Sequence, residues 1–187
     1  MKPIQIRLTT LLSIIFAVAL FRLIPHWPNF TPVAALALFG AATFDRKWLG
    51  LVAPLTAMLL SDALIGFHAS MGAVYLSFAL TWLLGFYTLA KPPSAGRIAT
   101  VSVASSVLFF LITNGAVWYG TAYGPSPQFY PPTAQGLMAC YVAGLAFYND
   151  QSFALNGLVG DLFFSGLLFG GYTLLQFRFP KLRKQRV

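Results

Sequence analysis

The sequence predicts an all-α membrane protein of six transmembrane helices plus a short outer interfacial or re-entrant helix. Three observations carry that prediction. Of 187 residues, 58% are hydrophobic and 9% charged, which leaves too little charge to coat a soluble domain of this size. Several apolar runs reach the roughly 20 residues that a helix rising about 1.5 Å per residue needs to cross a core of about 30 Å. The basic residues stand mostly at the ends of those runs, where they orient helices in a bilayer.

The first span covers residues 8–23. Lys2, Arg7, the apolar run 11–16 and Ala17-Val-Ala19 resemble a signal peptide with its cleavage site. The segment that follows stays apolar, so retention as a span is expected. Pro25-His26-Trp27-Pro28-Asn29 then stops the helix, because two prolines remove backbone donors. The second span, 31–44, is only about 21 Å long as a helix. Either the loop before it dips into the membrane or this helix ends below the interface. Asp45-Arg46-Lys47 makes a charged turn.

The third span is 48–67, with Pro54 as a kink and Asp62 near its far end. His68-Ala69-Ser70 connects it to the fourth, 71–90, which closes at Lys91 to Arg97. The fifth is 98–118. Residues 119–133 hold four prolines and four aromatics and read as irregular. Residues 134–147 read as a helix of about four turns, too short to span comfortably. The last span, 153–177, runs into a basic tail, 178–187. The whole chain, 1–187, reads as one integral membrane domain without internal repeats.

Orientation follows from charge. With Lys2 and Arg7 inside the cell, Arg46, Lys47, Lys91, Arg97 and the tail are inside as well, and of twelve Lys/Arg only Arg22 lies outside. Both termini are therefore expected to be cytoplasmic. Counting 134–147 as a seventh crossing would put the basic tail outside, which that rule rejects. The net charge of +8 is a topology signal rather than a nucleic-acid patch, since five of the twelve basic residues fall in the last ten. A single Cys140 allows no internal disulfide, and no Cys/His spacing offers a metal site, so neither metal nor cofactor is expected.

On this topology the polar side chains gather at the outer end. Asp62, Asp150, Asp161, all four Asn and both His lie there. Polar groups in hydrocarbon cost several kcal/mol unless paired or wetted, so the cluster describes a pocket opening outward. Its candidate substrate-binding residues are Arg22, His26, Asn29, Asp62, His68, Asn114, Trp118 and Asp161. Arg22 and Asp62 stand at comparable depth and can instead form a helix-locking ion pair; Asp161 reads either as a second possible partner for Arg22 or as a protonated hydrogen-bond donor. Asn114 and Trp118, four apart, share a helix face; a substrate contact is the reading preferred for Asn114, and an interfacial anchor for Trp118. Tyr119, Tyr123, Phe129 and Tyr130 read either as a lid or as an ordinary aromatic belt. His26, His68, Asp62 and Cys140 make only a scattered set for a metal. Ala37/Ala41, Ala53/Ala57 and Gly166/Gly170 match the small-xxx-small pattern of close helix contact. No phosphate-binding loop, HExxH or GxSxG occurs, so enzymatic activity is not expected.

The run from Arg22 through Pro25-His26-Trp27-Pro28-Asn29-Phe30 to Phe39 resembles an uncharacterised bacterial family of membrane transport proteins. So do Leu60-Ser61-Asp62 with Gly66-Phe67-His68, Thr113-Asn114 with Trp118, and the stretch from Gly136 through Cys140-Tyr141 to Gly160-Asp161. That family is similar to the substrate-binding S components of energy-coupling factor (ECF) importers. The resemblance implies a bacterial inner (plasma) membrane protein that captures a small vitamin-like nutrient at the outer face. It also implies partners: a transmembrane coupling subunit and ATPases. Lys2 stands where nickel and cobalt S components carry histidine, which excludes that subclass, and the first helix lacks the Ala-x-x-x-Ala docking motif that S components often carry. The expected function is thus substrate capture for uptake, with small molecules and membrane lipid as partners and no nucleic acid. The alternative is a structural six-span subunit of a cell-envelope or cell-shape complex.

Overall fold

The computed structural model describes residues 3–89, 93–124, 129–145, 147–148 and 151–183. Expectations resting on Lys2, Lys91, Asn149, Asp150, Lys184 and Arg186 lie outside them. Helix α1 (Pro3–Ala19) ends in a 3-10 turn, Leu20–Leu23. It is followed by α2 (Val33–Thr43), α3 (Lys47–Ile65), α4 (Met71–Thr88), α5 (Ala95–Tyr123) and α6 (Ala134–Leu145). A two-residue ribbon, Phe147–Tyr148 against Gln151–Ser152, leads into α7 (Phe153–Ser165). A π turn, Gly166–Gly170, joins α7 to α8 (Gly171–Arg178). Among the described residues five helical segments are long and apolar enough to cross a membrane: Ile4–Leu23, Lys47–Ile65, Met71–Thr88, Ala95–Tyr123 and Ala154–Arg178. The chain is a membrane-spanning helical protein.

The expected second span, 31–44, is helical over a shorter range. Its helix has 11 residues, about 16 Å, and cannot cross a bilayer alone. It is instead the centre of the bundle. Every residue from 33 to 41 is buried, and α2 touches α1, α3, α4, α5 and α7. A helix apolar all round has no solvent or polar face to present, so burial on all sides is its stable placement. Small residues make this possible. Gly40 and Gly50 face each other so closely that a Cβ on either would strike the other's carbonyl oxygen. Gly85 of α4 receives Leu38 and Ala41 in the same way. In lipid, such close backbone packing holds helices together where the hydrophobic effect does not.

The loop before α2 is mostly exposed and packs on the bundle through Phe30. Phe30 sits among Phe21, Phe163 and Phe164, with ring centroids 5.4–6.3 Å apart. Asn156 of α7 donates to the Pro28 carbonyl at 3.1 Å. Asn29 turns the chain at φ 63°, a left-handed conformation that asparagine tolerates better than most residues.

Both described ends of the chain meet at the same end of the bundle. The Arg7 guanidinium binds Asp45 and the Thr43 carbonyl, and its Nε donates to the Tyr172 hydroxyl at 3.2 Å. Tyr172 in turn donates to the Leu182 carbonyl at 3.0 Å. Arg46, Lys47 and Lys181 lie in or beside these segments. We call this the basic end.

Helix α5 differs from its expected range. It runs to Tyr123, because no proline interrupts residues 119–123 and the first stands at position 125. Its 29 residues measure about 43 Å. Its partners divide that length. Near the far end it carries α6, where Tyr141 donates to the Leu111 carbonyl at 3.0 Å. Below, it carries α7, where Ser102 and Ser165 exchange a hydrogen bond at 3.2 Å.

Candidate functional site

Where α5 passes from α6 to α7, the packing leaves a cleft of ≈ 280 Å³. Its floor and one wall are Ser106, Phe109, Phe110, Thr113 and Asn114 of α5. The 4, 3 and 4 residue steps between Ser102, Ser106, Phe109 and Thr113 put them on one helix face. Opposite stand Ala154, Gly157, Leu158 and Asp161 of α7, with Gly144 of α6. Asn29, Thr31 and Val33 close it from the α2 side, and Ser70 and Val74 from α4. Ser106 and Asn114 are eight residues apart, so the cleft extends about 12 Å along α5.

Asp161 is the chemical focus. It is 7% exposed, and one carboxylate oxygen accepts from Ser106 at 2.7 Å. Its other oxygen has no hydrogen-bond partner among the described residues, and no described cation pairs with it. At the other extreme of the cleft, the Asn114 amide nitrogen donates to the Phe110 carbonyl at 2.9 Å. Its carbonyl oxygen lies against Gly144, where any Cβ would collide with it. Glycine at 144 therefore makes the room that lets this carboxamide sit in the wall.

Arg22 and Asp62 are brought together elsewhere. Arg22 Nη2 meets Asp62 Oδ1 at 2.5 Å, Nη1 meets Ser61 Oγ at 2.5 Å and the Met58 carbonyl at 3.2 Å. Tyr75 donates to the second Asp62 oxygen at 2.8 Å. The side chains are 10% and 2% exposed, and neither lines the cleft. This is the helix-locking pair, and Asp161 is not Arg22's partner.

Of the other sequence candidates, Asn29 and Asn114 line the cleft with Asp161. His26 is not brought there: its ring bonds the Ile24 carbonyl at 2.5 Å and packs on Phe21. His68 bonds the hydroxyl of Ser70 at 2.9 Å, so it reaches the cleft only through that residue. Trp118 donates to the Pro131 carbonyl at 3.1 Å and stacks edge-on to Tyr123, tying α5 to the start of α6. Tyr119 and Tyr123 pack on one another at 5.2 Å. Among the described residues no three His, Cys, Asp or Glu side chains converge.

Sequence reasoning missed Thr31, Ser70, Ser106, Thr113, Phe109, Phe110 and Gly144. The regular spacing of Ser102, Ser106, Phe109 and Thr113 on one face of α5 is the signal that could have found several of them. A second cleft of ≈ 200 Å³ at the basic end is walled by Ile4, Leu8, Leu11, Phe44 and Leu49, and its buried Arg7 is committed to Asp45.

Residues 2–182 match a family of unknown function, DUF6580, and the chain belongs to that family. No curated protein and no solved structure matches it.

Proposed function

We propose that this DUF6580 member is a substrate-capture protein of the bacterial inner membrane, which takes a small nutrient into the Asp161–Asn114 cleft for uptake. One observation carries the reading: a buried carboxylate, with no cation paired to it among the described residues, in a roomy cleft lined by polar side chains, aliphatic groups and two phenylalanines. Intramembrane ionisable groups without a structural partner mark ligand or ion sites by default. A cleft of a few hundred Å³ suits a small molecule.

The orientation belongs to the same proposal. On this reading five long helices, with α2 and the loop before it as a sixth pass, leave both termini in the cytoplasm. The accumulation of Arg7, Arg46, Lys47, Arg97, Arg178, Lys181 and Arg183 toward one end supports this by the positive-inside rule. The cleft then faces outward. Reporter fusions after Lys91 and at the C-terminus should read cytoplasmic, and one within residues 124–132 should read external. An external C-terminus ends this topology.

Uptake requires energy that this chain has no motif to supply, so the proposal includes partner ATPases and a coupling subunit, as in the S components it resembles. Ala37, Ala41, Ala53 and Ala57 are buried and serve internal packing. Gly166 and Gly170 have open space beside them and offer the free small-xxx-small face for a partner helix. Native mass spectrometry of gently purified full-length protein tests the reading directly. A co-purified small molecule that Asn114→Ala fails to retain is expected. Protein that carries no molecule, and binds none from a nutrient mixture, would count for the structural-subunit alternative.

A further inference from the structure

The charge arrangement around the cleft reaches beyond capture to the class of molecule captured. We infer that the cleft takes a small organic cation, an ammonium-type head on an aromatic or apolar body. The inference rests on the capture reading above.

Among the described residues no Lys, Arg or His lines the cleft, and Asp161 is the one charged group in its wall. The nearest basic candidate by sequence, Arg22, is consumed by Asp62, Ser61 and the Met58 carbonyl. An anionic ligand would therefore meet a carboxylate with no counter-charge among the described residues, at short range and in low dielectric. A cation would meet its complement, because one Asp161 oxygen is held in place by Ser106 while the other lacks a partner. The contrast with Asp62 makes this specific. There the fold neutralises a buried acid with its own arginine and tyrosine. At Asp161 it supplies a serine and a cavity.

The remaining walls fit the same head and body. Phe109 and Phe110 line the cleft, and aromatic rings attract cations by their quadrupole and also pack on a flat apolar body. The Asn114 carbonyl oxygen and the Thr31 hydroxyl can accept from an N–H at the mouth. A bare metal ion fits poorly, since among the described residues the cleft presents one carboxylate and no His, Cys or second acid.

Three probes of one shape and different charge test this: phenethylammonium, phenethyl alcohol and phenylacetate, each added to the full chain in lipid nanodiscs. Thermal unfolding and equilibrium binding are read. Phenethylammonium should raise Tm, and the alcohol and the acid should not. Asp161→Asn should weaken phenethylammonium binding by roughly 30-fold or more, the low end for removing one partner of a buried charge pair. If that variant does not insert, the wild-type ranking of the three probes still decides. Ser106→Ala, which keeps the charge and frees its oxygen, should give a smaller loss of the same sign. Equal or greater stabilisation by the alcohol or the acid overturns the assignment, as does failure of all three probes. A neutral or acidic co-purified molecule whose retention depends on Asn114 would sink the cation class and leave capture standing. Absence of any retained molecule would sink capture itself.

Discussion

Asp62 and Asp161 are both buried in this bundle, 1% and 7% exposed, and the fold treats them in opposite ways. Asp62 has every oxygen satisfied by groups of the protein, a guanidinium on one side and a phenol on the other. Asp161 has one oxygen held by a neutral serine and a cavity beside it. A buried charge with full internal partners is a joint: it fixes α1, α3 and α4 relative to one another and has nothing left to offer a ligand. A buried carboxylate with a vacancy beside it is destabilising to the free protein and is retained where something else completes it. The same residue type thus separates the mechanical part of the molecule from its receptive part.

The sharpest way to break the comparison is to unpair Asp62. Arg22→Met or Asp62→Leu alone should cost about 3–5 kcal/mol of stability, because each leaves a buried charge uncompensated. The double variant should lose less than the worse single one. Thermal unfolding in nanodiscs reads the cycle, and strictly additive losses would show that the two groups do not act as a pair. Equivalent damage to ligand binding after correction for stability would also erase the distinction between joint and receptor.

Cleft residues should show the reverse profile, with a smaller effect that falls on binding. Asn114→Ala removes a carbonyl acceptor from the wall and should weaken ligand retention by about 1–3 kcal/mol while leaving Tm nearly unchanged. Gly144→Ala approaches the same group from behind, since the added methyl must displace the Asn114 oxygen and the Phe110 ring. The two variants should weaken binding without adding when combined. If both shift Tm and neither shifts binding, Asn114 is a packing residue like Ser61.

How much of this was legible in the sequence depends on range. Spans 48–67 and 71–90 are recovered as Lys47–Ile65 and Met71–Thr88 within a few residues, because apolar length and helix breakers are local signals. The end of α5 was misplaced, since aromatic residues near an interface resemble loop composition although no proline stops the helix until position 125. The shortness of 31–44 was visible, and its meaning was not: a run apolar on every face can span or be enclosed, and only its neighbours decide. The Arg22–Asp62 pair was within reach because few intramembrane charges compete for one another. The serine that holds Asp161 is 55 positions away, on another helix. A mid-helix serine commonly bonds its own backbone, as Ser106 also does to the Ser102 carbonyl, so nothing local announces the longer contact.

The smallest predicted effect belongs to His68, and it separates the cleft wall from its surroundings. By sequence, His68 and Asn114 were both candidate substrate-binding residues, with a ligand contact preferred for Asn114. The His68 ring is exposed and bonds the Ser70 hydroxyl, and only Ser70 lines the cleft. Histidine acts here, if at all, by fixing the rotor of a neighbouring hydroxyl. Removal of one exposed hydrogen-bond partner leaves that hydroxyl free to bond water or ligand instead. His68→Ala should therefore change stability by no more than about 0.5 kcal/mol, the usual range for a surface substitution. Its effect on ligand retention should be well below that of Asn114→Ala, and Ser70→Ala should reproduce whatever loss it causes. Measured side by side in one binding assay, a His68→Ala loss as large as that of Asn114→Ala would mean the imidazole itself touches ligand. The receptive region would then have to extend from the α5–α7 cleft out to the α3–α4 turn.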